Sequence, residues 1–77
     1  MNDHSNRDHY YIPYINMIIR SFAKRHHLDD IRGFEYLYQF HAIHYLEQYY
    51  DIEHTMPIED TLDTLQRICQ NNGGQIS

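Results

Sequence analysis

The spacing of apolar residues is the feature that most constrains the fold of this chain. In the first long segment, apolar side chains recur at steps of three or four residues, the period of one helical face. The members of this first stripe are Ile12, Ile15, Ile19, Phe22 and Ala23. Composition agrees, because the chain has no valine and few threonines, the branched residues on which sheets usually draw together with isoleucine. The sequence therefore predicts an all-α protein.

Four amphipathic segments follow one another with short turns between them. They predict helices over residues 12–26, 30–40 and 42–53, and a fourth helix that begins near Pro57 and stops at the Asn71–Gly74 stretch. The predicted architecture is a small compact bundle of four short helices. Residues 9–72 then form a single helical domain, residues 1–8 a disordered tail and residues 73–77 a flexible tail.

Local signals place the helix boundaries. Asp29 is the expected N-cap of the second helix, and Gly33 within that helix predicts a close helix crossing. We expect a break at His41, with one bent helix over residues 30–53 as the alternative, because this periodic length is near the upper limit for a single helix. Thr55 or Met56 is the expected cap of the last helix, and Pro57 lies in its first turn, as Pro13 does in that of the first. The residues expected to face inward on the last three helices are Ile31, Phe34, Leu37 and Tyr38, then Ile43, Leu46, Tyr49 and Tyr50, and finally Ile58, Leu62, Leu65 and Ile68 or Cys69.

Charge and composition exclude several classes of function. Six Lys and Arg against eleven Asp and Glu give a formal net charge of -5, which argues against a general nucleic-acid binder. The longest apolar run, Met17–Ile19, is far too short to cross a membrane, and no secretory leader is visible. Cys69 is the only cysteine and has no partner for an intrachain disulfide. We therefore expect a cytoplasmic location.

The chain offers few groups with catalytic chemistry. No Gly-rich phosphate loop, nucleophile elbow or paired-cysteine motif is present, so the sequence predicts neither an enzyme nor a cofactor. One alternative is a small metal-binding protein that uses His41, His44 and Glu47, which are three residues apart. Another is a nucleic-acid-binding regulator that uses the basic stretch of residues 20–32. Its cations are Arg20, Lys24, Arg25 and Arg32.

Most of the chain resembles a family of short bacterial proteins catalogued as a domain of unknown function. The resemblance is carried by residues 36–38, 43–46 and 49–55, followed by Ile58 and the Leu62/Leu65 stripe, and covers residues 15–70. It implies a helical domain and an accessory or antitoxin role, because genes of that family often lie beside genes for proteins similar to ADP-ribosyltransferase-type toxins. It carries over no catalytic residue. Its most recognisable segment corresponds to Tyr50, Asp51, His54 and Thr55.

These observations together favour a non-enzymatic module that binds a partner protein. Acidic charge would steer it toward a basic cleft, and tyrosine is common in protein interfaces. Homo-oligomerisation is compatible with such a small core. The expected contact surface, called the acidic flank below, comprises Tyr45, Glu47, Tyr49, Tyr50, Asp51, Glu53 and His54.

Overall fold

The computed structural model describes the backbone of residues 2–76 and the side chains of residues 10–76. Over that range the chain is all-helical, as predicted, and contains no strand. The elements are α1 (Asn2–Arg25), α2 (Asp30–Gln39), α3 (Ala42–Gln48), α4 (Tyr50–Glu53) and α5 (Ile58–Asn71). Helix α1 has 24 residues. At 1.5 Å per residue it is about 36 Å long, which accounts for most of the 40 Å long axis of the molecule.

Helix α1 begins earlier than its apolar stripe indicates. The predicted start was residue 12 and the predicted tail covered residues 1–8, but the backbone is helical from Asn2 onward, while Met1 lies outside the described residues. Apolar spacing reports only the part of a helix that packs against a core, so polar turns beyond the bundle give no such signal. Pro13 accordingly lies in the middle of α1 rather than in its first turn.

The turn between α1 and α2 forms as its local signals predict. His27 adopts the left-handed conformation (φ 60°), and the Leu28 N–H donates to the carbonyl of Ala23 at 2.8 Å. The side chain of Asp29 accepts a hydrogen bond from the backbone N–H of Arg32 at 2.8 Å, which confirms the predicted N-cap. The reversal brings α2 back along α1.

Gly33 marks the point where α1 and α2 approach most tightly. A Cβ built on Gly33 would lie 2.7 Å from the Cβ of Ala23 and 3.5 Å from the carbonyl oxygen of Ile19. No side chain fits between the helices at this position without a shift of the backbone. The predicted close crossing is confirmed.

The segment after α2 is interrupted twice. The predicted break at His41 is confirmed, since this residue adopts the left-handed conformation with φ 71°. The predicted helix over residues 42–53 is wrong in its continuity, because Tyr49 leaves the helical region (φ -113°, ψ 23°) and separates α3 from α4. This second break turns Tyr50 and Glu53 toward the core, where both are buried. The residue at the N-cap position of α5 is Pro57, not Thr55 or Met56.

The core lies where α1, α2, α3 and α5 meet. Most predicted members are buried, and Ile18, which the sequence analysis did not include, is fully buried as well. The core cluster consists of Ile15, Ile18, Ile19, Phe22, Leu37, Ala42, Ile43, Leu46, Leu62, Leu65 and Cys69. Six residues predicted to face inward are instead exposed: Ile12, Ile31, Phe34, Tyr38, Tyr49 and Ile58. On α2 the reason is the Gly33 crossing, which turns Gly33 and Leu37 toward the core and the second apolar face toward solvent.

The residues after α5 are hydrogen bonded to the helices. Gly73 adopts φ 102°, as expected of a glycine that ends a helix, and the Gly74 N–H donates to the carbonyl of Cys69 at 2.7 Å. The Ile76 N–H donates to the hydroxyl of Tyr36 on α2 at 3.0 Å. The predicted tail over residues 73–77 is therefore attached to the bundle as far as Ile76, and Ser77 lies outside the described residues.

Candidate functional site

The structure does not bring the seven residues of the acidic flank onto one surface. Tyr50 and Glu53 are buried, each with 7% of its surface exposed, and Tyr45 is half-buried. The remaining members Glu47, Tyr49, Asp51 and His54 are exposed. The contact role of the flank stays a prediction, but Tyr50 and Glu53 do not present their side chains to a partner.

The ring of His54 packs within its own segment. It stacks on the ring of Tyr50 with centroids 4.6 Å apart and planes at 15°, and its Nδ1 lies 2.8 Å from the Tyr50 carbonyl oxygen. Tyr50 in turn makes edge contacts with Tyr11 and Tyr14 of α1. These contacts fasten α4 to α1.

Glu53 is the centre of a buried group of polar side chains, called the Glu53 cluster below. Its Oε2 accepts from the hydroxyl of Tyr45 at 2.5 Å, and its Oε1 accepts from the hydroxyl of Thr61 at 2.9 Å. No Lys, Arg or His of the described residues forms an ion pair with it. Burial of a carboxylate costs several kcal/mol unless hydrogen bonds compensate for the lost water. The two hydroxyls supply that compensation, and they join α3, α4 and α5.

The pKa values of two tyrosines at the cluster, Tyr45 and Tyr14, are raised above the ordinary tyrosine value. Burial, followed by the hydrogen bond and the charge of Glu53, raises the pKa of Tyr45 to about 12. The Tyr14 hydroxyl is buried beside Thr61 without meeting hydrogen-bond geometry, and its pKa is raised by burial, with Thr61 offsetting part of the shift. The two tyrosine hydroxyls are therefore held in their protonated form at neutral pH.

Alkaline pH is expected to destabilise the fold through Tyr45 and Cys69. Burial raises the pKa of the fully buried Cys69 thiol to about 11 from an ordinary value of 9.0, and that of Tyr45 rises to about 12 from 10.0. Since both folded pKa values are raised, the unfolded chain releases its protons first. Stability is complete below the ordinary values and is lost as the pH rises from 9 toward 12. Urea unfolding at a series of alkaline pH values measures this loss.

Two variants separate the contributions of these groups. Cys69→Ala is expected to flatten the decline that begins near pH 9, and Tyr45→Phe the decline that begins near pH 10. Each variant is compared with its own stability at neutral pH, so that any loss of packing cancels. An unchanged alkaline slope in both variants would contradict the assignment.

Two cations of the basic stretch, Arg25 and Arg20, form ion pairs with carboxylates. Arg25 donates to Asp63 at 2.7 Å and to Glu59 at 2.8 Å, which links the end of α1 to α5. Arg20 lies 3.7 Å from Asp30 in an exposed ion pair. Two of the four cations of residues 20–32 are thus paired with carboxylates, and the nucleic-acid alternative stays a prediction.

The metal-binding alternative finds no support in the side-chain geometry. Among the side chains of residues 10–76, no group of three His, Cys, Asp or Glu could hold a metal ion. His41, His44 and Glu47 border the same concavity, but the backbone break at His41 separates it from the helical face of the other two.

A row of apolar side chains on α2 faces solvent. Ile31, Phe34 and Tyr38 are exposed by 71%, 42% and 67%, and the rings of Phe34 and Tyr38 stack with centroids 5.8 Å apart. We call these three residues the α2 stripe. Sequence reasoning identified their helical spacing and assigned them to the core, because spacing alone does not show which of two apolar faces of a helix is covered.

The α2 stripe continues into a groove between α1 and α2. Ile31 and Phe34 form one wall, and the opposite wall carries Asn16, Ile19 and Arg20. A neighbouring concavity shares Asn16, Arg20 and Asp30 with this groove and is lined further by Met17 and Lys24. The two adjoining concavities, together called the α1–α2 groove below, are open to solvent and combine apolar side chains with two cations of α1 and the carboxylate of Asp30 on α2.

Comparison with known protein families assigns the chain to one of them. A family model described as protein of unknown function (DUF3791) matches residues 14–72. The chain belongs to this family. The DUF3791 match confirms the resemblance to a domain of unknown function and spans most of α1 together with α2 to α5, so it includes the Glu53 cluster, the α2 stripe and the groove. No curated protein and no solved structure matches the chain. In the part of the chain that the structure describes, no helix is long and apolar enough to span a membrane.

Proposed function

We propose that this chain is a non-enzymatic helical module that binds a partner protein through the α2 stripe. The observation that carries the proposal is the row of Ile31, Phe34 and Tyr38. These apolar side chains share one face of α2, and that face is exposed to solvent. Full burial of an apolar side chain of this size contributes about 1.5–3 kcal/mol. Three such side chains in a row supply the apolar centre that a specific interface needs.

The partner in this proposal is a larger protein of the cytoplasm, to which the chain is an accessory or antitoxin-like subunit, as the family resemblance implies. The net charge of -5 supports steering toward a protein with a basic region that faces the acidic flank, outside the stripe itself. The α2 stripe precedes the acidic flank in the chain, and Tyr38 of the stripe and Glu47 of the flank border one concavity. Glu47, Asp51 and His54 remain available as peripheral contacts.

Site-specific photo-crosslinking in the cells that produce the protein tests the proposal. A benzophenone analogue of phenylalanine replaces Tyr38 in the stripe, and the same residue at the exposed Asn71 on α5 serves as the control. We expect a discrete adduct with a second, different protein from position 38 and none from position 71. The mass of the adduct distinguishes a partner from a second copy of this chain.

A third crosslinker position compares the two surfaces. Ile52 on α4 is 60% exposed and lies in sequence between Asp51 and Glu53 of the acidic flank. Adducts from position 52 but not from position 38 would move the interface back to the flank. The absence of adducts from both positions, with the protein folded, would contradict the interaction module itself.

A further inference from the structure

The cations of α1 make its groove different from the rest of this acidic chain. From Tyr10 to Arg25 the sequence contains no Asp or Glu, whereas the whole chain carries eleven of them. Arg25 is turned toward α5, where it binds Asp63 and Glu59. Arg20 and Lys24, which are four residues apart and therefore on one face of α1, line the groove together with Asp30 of α2, so its lining carries one net positive charge.

Both groove cations can accept a new partner. The Arg20–Asp30 contact is long, at 3.7 Å, and its side chains are 76% and 62% exposed, which makes it a weak ion pair. Lys24 is exposed and forms no ion pair with any described residue. Carboxylates brought beside these two side chains would gain charge-assisted hydrogen bonds that the free protein lacks.

The shape of the site fits one helix. Ile31 and Tyr38 are seven residues apart on α2, so the stripe extends for about 10 Å, or about two turns of a docked helix. A groove between two helices with an apolar floor is the arrangement that receives the apolar face of an amphipathic helix. Met17 and Phe34 supply apolar contacts on the two sides.

We infer that the α1–α2 groove binds an amphipathic helix of the partner whose apolar face is flanked by Glu or Asp residues facing Arg20 and Lys24. This inference rests on the proposed function and specifies the chemistry of the partner. A second copy of the chain is a poorer occupant, because two molecules of net charge -5 repel each other.

Selection from a displayed library of helices tests the inference without the natural partner. The library keeps an apolar stripe and varies the flanking positions among Glu, Lys, Gln and Ala, and the full-length protein is the bait. We expect the wild-type protein to retain helices with Glu in excess of Lys at the flanks. Phe34→Glu should retain none of these helices.

Charge reversal on the protein, and then on the bound peptide, tests the charge complementarity through the measured Kd. For one selected peptide, Arg20→Glu with Lys24→Glu is expected to raise the Kd roughly three- to tenfold, the effect of losing two exposed ion pairs. Replacing the flanking Glu residues of the peptide by Lys should restore binding to that double variant. Arg67→Glu, at an exposed cation of α5, is the matched control and should leave the Kd unchanged.

Each other outcome overturns the inference. Selected helices without a preference for Glu would remove the charge complementarity, and selection unaffected by Phe34→Glu would remove the groove as the site. A wild-type dimer that Phe34→Glu converts to a monomer, measured by sedimentation, would make the groove a self-interface. If position 38 crosslinks to a different protein while the selection fails, the proposed function stands and only the helix inference is wrong.

Discussion

Thr61→Val is expected to lower the free energy of unfolding by about 1.5–3 kcal/mol, although the two side chains are nearly the same size. Thr61 is 1% exposed, and its hydroxyl donates one of the two side-chain hydrogen bonds that the Glu53 carboxylate accepts. Valine cannot donate, and Glu53, which is 7% exposed, has little access to water that could replace the lost donor. The carboxylate would then be buried with Tyr45 alone as its donor. For a domain of this size such a loss lowers the Tm by roughly 4–8 °C per kcal/mol.

Thr64→Val on the same helix is the control for this experiment. Thr64 is half-buried and contributes no hydrogen bond to Glu53. Its replacement is expected to change stability by less than about 0.5 kcal/mol, as is usual for substitutions outside the core. Urea unfolding of both variants gives the comparison. Equal effects of the two substitutions would show that the Thr61–Glu53 hydrogen bond contributes nothing specific.

Gly33→Ala is expected to lower the free energy of unfolding by about 1–2 kcal/mol, in contrast to the usual effect of this change in a helix. Alanine is favoured over glycine in a helix interior by about 1 kcal/mol. At this position, however, the new Cβ would lie 2.7 Å from the Cβ of Ala23, and overpacking of this kind costs about 1–3 kcal/mol or more. The backbones of α1 and α2 must separate to relieve the contact. The measurement is again urea unfolding.

A double variant isolates the contact between the two helices. Ala23→Gly removes the methyl group that the new side chain meets, so adding it to Gly33→Ala places one methyl group back between the helices. The double variant is expected to be more stable than the sum of the single effects implies, by about 1 kcal/mol. Additive effects would show that the close approach does not limit the residue at position 33.

The parts of the fold that were predictable from the sequence are those with a local cause. Asp29 caps α2 through its own side chain, and Gly33 is a residue whose presence in a helix needs a reason. The stop after α5 likewise follows from the glycine at its end, whereas the break at His41 was predicted from the length of the periodic segment over residues 30–53. The break at Tyr49 has no such signal, because it serves to bury Tyr50 and Glu53 against helices that are distant in sequence.

The candidate site was predictable only in part, because its residues are oriented by contacts with helices that are distant in sequence. Periodicity identified the apolar spacing of Ile31, Phe34 and Tyr38 but assigned these residues to the core, since the orientation of α2 is set by the contact of Gly33 with Ala23 on another helix. Glu53 was assigned to a surface because charged residues are rarely buried. The two hydroxyls that make its burial tolerable come from positions eight residues away on either side.

Because Cys69 is fully buried, its reaction with a thiol reagent reports local or global unfolding of the protein. The thiol is the only one in the chain and has no exposed surface, and its raised pKa keeps it protonated in the folded state. A thiol reagent therefore modifies the protein only when α5 detaches or the whole bundle unfolds. The labelling rate measures how often that happens, and it measures the change on partner binding with no substitution in the chain.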